Sequence, residues 1–295
     1  MDRPLLVREP ARRSMTARAA LATAPGPGGR TVLAVLRSDP PLTLRRTGPA
    51  RVHLVSTAAG PLGGDELALD IDVAPGTALD VRSVASTLVL PGHGAGGSPE
   101  SLMTVTARVG AGASLRFAPE PTVLAAGCRH RVAVRLALAA GARVLWREEI
   151  VLGRYGEPSG RCHSRFDAVF DGRPLLRQEL ATGDPEIDGG PAVYGGARCV
   201  GSTLIAGPTG GSGPGGPPLP RPDDLALPGA ATGEDGAATG GEGPAAGRGN
   251  GSPAAGDGWA VLPLAGPGAL VTALAGDAVE LRRRLELGES HVTAR

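Results

Sequence analysis

Lysine is absent from the 295 residues, aromatic residues make up only 2% of them, and cysteine occurs three times. Each shortage excludes something. Without lysine every formally basic side chain is an arginine, and no phosphate-binding loop of the Gly-x-x-x-x-Gly-Lys type exists. With so few aromatics, the core has to be built from Val, Leu and Ala. Cys128, Cys162 and Cys199 form an odd set without Cys-x-x-Cys spacing, which reads as reduced thiols rather than a disulfide framework. No stretch approaches the roughly 18 consecutive apolar residues of a spanning helix, and the start of the chain lacks the apolar core of a secretory signal. A cytoplasmic protein is expected. The formal net charge is +1, with arginines and acids interspersed, so there is no electrostatic case for nucleic-acid or membrane binding.

What the chain does have is a turn-centred pattern, apolar-x-x-Gly-x-x-apolar, repeated four times: Val73 to Leu79 around Gly76, Val109 to Leu115 around Gly112, Leu138 to Val144 around Gly141, and Val169 to Leu175 around Gly172. Alternating apolar stretches flank the turns. Leu67, Leu69, Ile71 and Val73 lead into the first, and Val132, Val134, Leu136 and Leu138 into the third. Period-two alternation places one face of each strand on a core, and Pro-Gly and Asp-Gly supply turn geometry. The expected fold is all-β, a helicoid or layered stack of β-hairpins; the spacing is compatible with solenoid rungs and with the leaves of a sandwich.

Residues 1–15 carry no pattern, so Met15 could be the true beginning, and residues 16–206 form the β-rich body. Residues 207–258 are rich in Gly and Pro and contain no aromatic, which predicts a disordered insertion. Residues 259–295 read as a strand from Gly268 and a short C-terminal α-helix, completing the same domain. Asp277 can cap that helix with Glu280 three residues on, Ala278, Leu281 and Leu285 share one face, and Gly288 is expected to stop it. Arg282, Arg283 and Arg284 are then its solvated face.

Catalytic motifs are absent: no Gly-x-Ser-x-Gly, no His-Glu-x-x-His, and no Gly-x-Gly-x-x-Gly opening a helix. The Gly60–Asp65 stretch reads as a tight turn before a strand. His93, in a glycine-rich loop, is expected to be exposed and inert. Cys128 and His130 lie two apart on one side of a strand, and Cys162-His163 could add two further ligands, although neighbours on a strand face opposite ways. None of the usual zinc spacings is present, and buried small cysteines are the simpler reading. A looser, transient site for a borderline metal such as Ni²⁺ needs only a few carboxylates, imidazoles or thiolates.

Taken together, the segments resemble the UreD family of urease accessory proteins, called UreH in some organisms. The matching stretches are Gly63-Gly-Asp65, Pro75-Gly76, Leu115-Arg-Phe-Ala-Pro119-Glu-Pro-Thr-Val123, Gly127-Cys-Arg, Glu149-Ile-Val-Leu-Gly-Arg154 with Gly156-Glu157, and Asp171-Gly-Arg-Pro-Leu175. They cover about residues 16–206 and, more weakly, 259–290. The resemblance implies a non-enzymatic scaffold that binds UreF, through it UreG, and docks on apo-urease as a hetero-oligomer. It implies no tightly bound cofactor. It also implies Ni²⁺ in transit through a water-filled tunnel, for which Asp65, Glu120, Glu149 and Glu157 are the acids on the matched segments.

The chain departs from the family pattern after the first turn. Only Ser83 and Thr87 keep hydroxyls there, Leu88 stands where the family has Lys, and Pro121 follows Glu120 where an acid is common. An alternative from another class is a β-sandwich metal-dependent hydrolase with Cys128, His130, Cys162 and His163 as ligands.

Overall fold

The computed structural model describes residues 14–92, 99–208 and 254–294. Most of the 1–15 extension and of the 207–258 insertion, and all of the His93 loop, lie outside the described residues. The strands form two sheets. The smaller has seven, in the order β14 (Arg173–Thr182), β13 (Arg161–Phe170), β11 (Arg129–Leu138), β8 (Ser101–Val109), β5 (Glu66–Val73), β1 (Thr16–Pro25) and β2 (Thr31–Arg37). The larger runs β16 (Ala254–Gly256), β17 (Trp259–Pro263), β18 (Gly268–Ala275), β15 (Cys199–Ala206), β12 (Arg143–Leu152), β9 (Ser114–Phe117), β6 (Ala78–Ser83), β4 (Arg51–Ser56) and β3 (Leu42–Gly48). Two short strands, β7 (Thr87–Val89) and β10 (Thr122–Leu124), pair with each other, and β10 pairs with β12.

The stack is the one the repeat predicts, but three of its four turns are not hairpins. β5 and β6, on either side of Gly76, lie in different sheets, as do β8 and β9 around Gly112 and β11 and β12 around Gly141. Each turn is an arch from one sheet to the other, and the arches stack so that β5, β8, β11 and β13 run parallel in one sheet and β6, β9 and β12 in the other. Only the Asp171-Gly172 turn closes a hairpin, β13 with β14.

Turn geometry explains the difference. In the arches a single residue takes positive φ, +69° at Gly76 and +73° at Gly141, and Thr77 and Ala142 donate back to the carbonyls of Ala74 and Ala139 at 3.1 and 3.0 Å. That is a type II turn, which splays its flanking strands. Asp171 and Gly172 both have positive φ, 49° and 74°, the type I′ pattern whose twist suits a hairpin.

The core lies between the sheets. Leu69, Val105, Val134 and Phe166 stand in register across the smaller sheet, and Val81, Phe117, Trp146 and Leu204 across the larger, all buried. Three of the few aromatics meet here: Phe117 stacks on Trp146 at 4.1 Å, and Trp146 reaches Phe166 of the other sheet at 5.6 Å. Such pairs add about 0.5–1.5 kcal/mol beyond their buried area.

A one-turn helix, α1 (Pro185–Asp188), follows β14, and helix α2 (Ala278–Thr293) lies on the outer face of the larger sheet, against β12, β15, β17 and β18. Asp277 accepts from the Glu280 N–H at 2.9 Å, and Leu281 and Leu285 are fully buried, as expected. The helix continues past Gly288 for more than a turn. Gly288 serves close packing instead, since a Cβ there would meet Val271 Cγ1 at 2.4 Å.

Candidate functional site

The larger sheet has a gap in its middle. β9 ends at Phe117, opposite Trp146, and β10 begins at Thr122, opposite Ile150, leaving residues 147–149 without a ladder partner on that side. The neighbouring chain does the same, β6 ending at Ser83 and β7 starting at Thr87. Isolated bonds stitch the edges: Glu120 N–H to Ser83 Oγ at 2.8 Å and Thr87 N–H to Pro121 O at 3.0 Å.

A cavity of about 200 Å³ between the sheets reaches this gap. Phe117, Trp146, Val132 and Val134 form apolar walls; Glu120, Glu149, His130, Cys162, Ser164 and Glu148 add polar groups. A second hollow, of about 470 Å³, opens at the other end of the body between β14 and β17 and is lined by Gln178, Ser202, Trp259 and Thr272. The two share Glu148, Ile150 and Ser164. Glu148 therefore stands at the neck between the two hollows, the one carboxyl that lines both.

Glu148 and Glu149 are adjacent on β12 and therefore face opposite ways. Glu148 follows the inward parity of Val144 and Trp146. It has no arginine partner, and burial pushes its carboxyl up to about 7, against a smaller opposing effect of the Trp146 indole, whose N–H makes no hydrogen bond of ordinary length. The group is surrounded by protein yet half-buried by accessible surface, because the surface it keeps faces the two cavities.

Glu149 faces outward under α2. Arg282 bridges the gap rim, donating to Glu149 Oε1 and to Glu120 Oε1, each at 3.1 Å. Burial raises the Glu149 pKa despite that pairing, with Arg147 and Arg282 opposing. Burial likewise works against the Arg282 charge, and the two carboxylates outweigh it. Next to them Arg147 makes a two-pronged pair with Glu289, at 2.8 and 2.6 Å, and Glu289 also accepts from Thr203 at 2.7 Å. Of the three arginines expected to be solvated, only Arg283 is largely so; Arg284 donates to Glu280 and to the Leu274 carbonyl.

The four acids on the matched segments divide. Glu120 and Glu149 line the cavity at the gap, whereas Asp65 and Glu157 line neither hollow. Asp65 is buried and accepts from the Met15 and Leu62 N–H groups at 2.9 and 2.8 Å, which ties the turn to the first strand. Glu157 sits on a loop paired with Arg154, whose guanidinium holds its carboxyl below the usual range.

The thiols and imidazoles do not converge. His130 stands directly opposite Cys162 and both line the cavity; Cys128 shares an apolar cluster with Cys162 but does not line the cavity, and His163 faces outward near Glu179. Burial drives Cys128 up to about 11, Cys162 to about 12, and His130 down to about 4; Ser101 Oγ lies 2.8 Å from His130 Nδ1. Two neutral thiols and a neutral imidazole are poor material for a tight cage. Among the described residues no group of three or more His, Cys, Asp or Glu side chains could hold a metal ion, so the cage that the hydrolase alternative needs is not assembled there.

Glu148 escaped the sequence reading. The signal was present in the alternation Val144, Trp146, Glu148, Ile150, which places the acid on the core-facing side.

A family model described as UreD urease accessory protein matches residues 15–287. A urease accessory protein UreD of Frankia casuarinae is 42% identical, over 96% of this chain and 91% of its own length. One from a Parafrankia species is 44% identical over 94% and 89%, and one from Streptomyces coelicolor 40% identical over 90% and 92%. Among the described residues no helix is long and apolar enough to cross a membrane. Matched from end to end at this level of identity, the chain belongs to the UreD family of urease accessory proteins.

Proposed function

We propose that this protein is a non-catalytic scaffold of urease maturation that bridges UreF and UreG to apo-urease and lets Ni²⁺ pass through its body to the urease active site. The observation that carries the conduit is the pair of cavities meeting at Glu148. A route for a borderline divalent ion needs oxygen ligands that bind in succession and release, whereas clustered thiolates would retain it. The passage meets that requirement: its acids, Glu120, Glu149 and Glu148, are spread along it, and its thiol is protonated at neutral pH.

Glu148 is poised for transient contact. Near pH 7 its carboxyl exchanges between neutral and charged forms. An approaching dication favours the carboxylate, so the proton leaves to water as the ion arrives and returns once it has moved on. The neutral form spares the empty neck a buried, unpaired charge.

In a reconstituted system of apo-urease, UreF, UreG, GTP, bicarbonate and Ni²⁺, activation should require this chain, in amounts that track the urease activated rather than in catalytic trace. Activation of equal extent without the chain, or turnover of many ureases by one copy, would overturn the scaffold reading.

A further inference from the structure

Among the described residues, helix α2 packs on β12, β15, β17 and β18 and leaves the other half of the larger sheet's outer face without comparable cover. The other half, β3, β4, β6 and β9, turns Val52, Val81 and Leu115 inward and a different set of residues outward. Two rows cross it. Arg45 pairs with His53 and His53 with Arg82, while Arg51 pairs with Asp80 and Asp80 with Arg116. Asp80 is thus flanked by Arg51, Arg82 and Arg116, and Arg45 lies beyond His53 in the neighbouring row.

Asp80 is saturated: Arg51 Nε donates to it at 2.8 Å and Arg82 Nε at 3.1 Å. Among the described residues, Arg51 Nη2, Arg82 Nη2 and Arg116 Nε are buried without a hydrogen-bond partner. Arg116 is only 9% exposed; burial, reinforced by neighbouring Arg147 and Arg82, lowers its pKa, with Glu289 and Asp80 opposing. Burial and the flanking Arg51 and Arg82 hold the His53 pKa down as well, with Asp80 opposing. Unsatisfied charged donors are expensive, and this face leaves three of them in one cluster.

We propose that this half of the sheet docks an acidic, extended segment of a partner protein, whose carboxylates pair with the guanidinium edges that Arg45 and Arg82 expose and are drawn by the recessed charges of Arg51 and Arg116 beneath them. The size of the stripe selects this occupant. Four adjacent strands span about 14 Å, too long for one phosphate or carboxylate and suited to several residues of extended chain. Planar guanidinium forks match carboxylates in pairs. A nucleic acid fits less well: no Phe, Tyr or Trp faces outward on these strands to stack a base.

The test uses a fluorescent Glu-Gly repeat peptide as probe and the full chain as receptor, read by anisotropy. The peptide should bind the wild type and weaken as salt rises. The double variant Arg45→Gln/Arg82→Gln, checked for folding by thermal unfolding, should bind about tenfold more weakly, equivalent to about 1.4 kcal/mol. Arg177→Gln, on the other sheet, should bind like wild type. Should the double variant fail to fold, the single exposed change Arg45→Gln supplies the same comparison. Equal affinity of wild type and variants, or an oligonucleotide of matched charge binding as tightly as the peptide, would overturn the proposal. Urease activation plays no part in the readout, so the docking stripe and the nickel conduit fail independently.

Discussion

Arg147 and Arg116 lie on adjacent strands of one sheet face and live in opposite surroundings. Arg147 is enclosed by Glu289, Glu149 and Glu286, with 2.6 Å to its nearest carboxylate oxygen. Arg116 is as buried but has a bare Nε and two further arginines beside it. The difference comes from α2, whose Glu286 and Glu289 hydrogen-bond Arg147 on β12, while Arg116 on β9 feels Glu289 only as a nearby charge, with no ion pair among the described residues. Charge pairing on this face is therefore supplied from above the sheet rather than within it, and wherever no described element lies above, the cations wait for a partner.

The largest effect should come from removing the cation on the covered side. Arg147→Met strips the buried Glu289 of its two-pronged partner and leaves Glu149 to Arg282 alone, and should cost about 3–5 kcal/mol in urea unfolding. Arg116→Met replaces an unpaired charge by an apolar chain of similar volume and should cost less than about 1 kcal/mol, or stabilise. Equal losses at the two sites would break the comparison.

Next in size is the pH response of the neck, where no covering acid or base is involved at all. The folded Glu148 carboxyl titrates near 7, above its ordinary 4.5, so between those values the folded protein holds a proton that the unfolded chain has lost. That contribution is complete below 4.5 and disappears as the pH climbs through 7, by up to about 3 kcal/mol. Glu148→Gln should flatten this fall in a series of melts from pH 5 to about 8. His130, held at about 4 by burial, acts in the opposite direction: its contribution is present above the unfolded value of 6.5 and is lost as the pH drops toward 4. A wild-type curve already flat between 5 and 8 would show that Glu148 is charged and paired.

Smaller still, Gly288→Ala should destabilise by about 1–3 kcal/mol, because its methyl meets Val271 where α2 touches the sheet. Smallest is Arg82→Gln on the uncovered side, within about 0.5 kcal/mol of wild type in the absence of a partner.

How far the residues alone reveal this molecule depends on whether the deciding interaction is local. The strands follow from period-two alternation, and the positive φ at Gly76 and Gly141 from turn chemistry, both readable within a few residues. Whether Gly76 joins two paired strands or two sheets depends on which coil lies alongside, and that contact is remote in the chain. The Asp171-Gly172 turn marks the contrast, since two consecutive residues there suit a hairpin. At the site, Glu120 and Glu149 line the cavity at the gap, a placement that depends on α2 and on strands remote in the chain. Asp65 and Glu157 sit on matched segments for structural reasons, one tying a turn and the other an arginine on a loop. Arg282 looked like one third of a solvated run, and only the packing of α2 over the gap turns it toward Glu120 and Glu149.

The passage with Glu148 at its neck is the central claim, and nickel content per urease active site is its most direct test. Apo-urease activated with wild-type protein should acquire its metal, whereas Glu148→Gln should leave it largely nickel-poor although the variant still co-purifies with UreF and UreG. Full nickel loading by Glu148→Gln at the wild-type rate, with the complex intact, would contradict the passage and leave the protein as a scaffold alone.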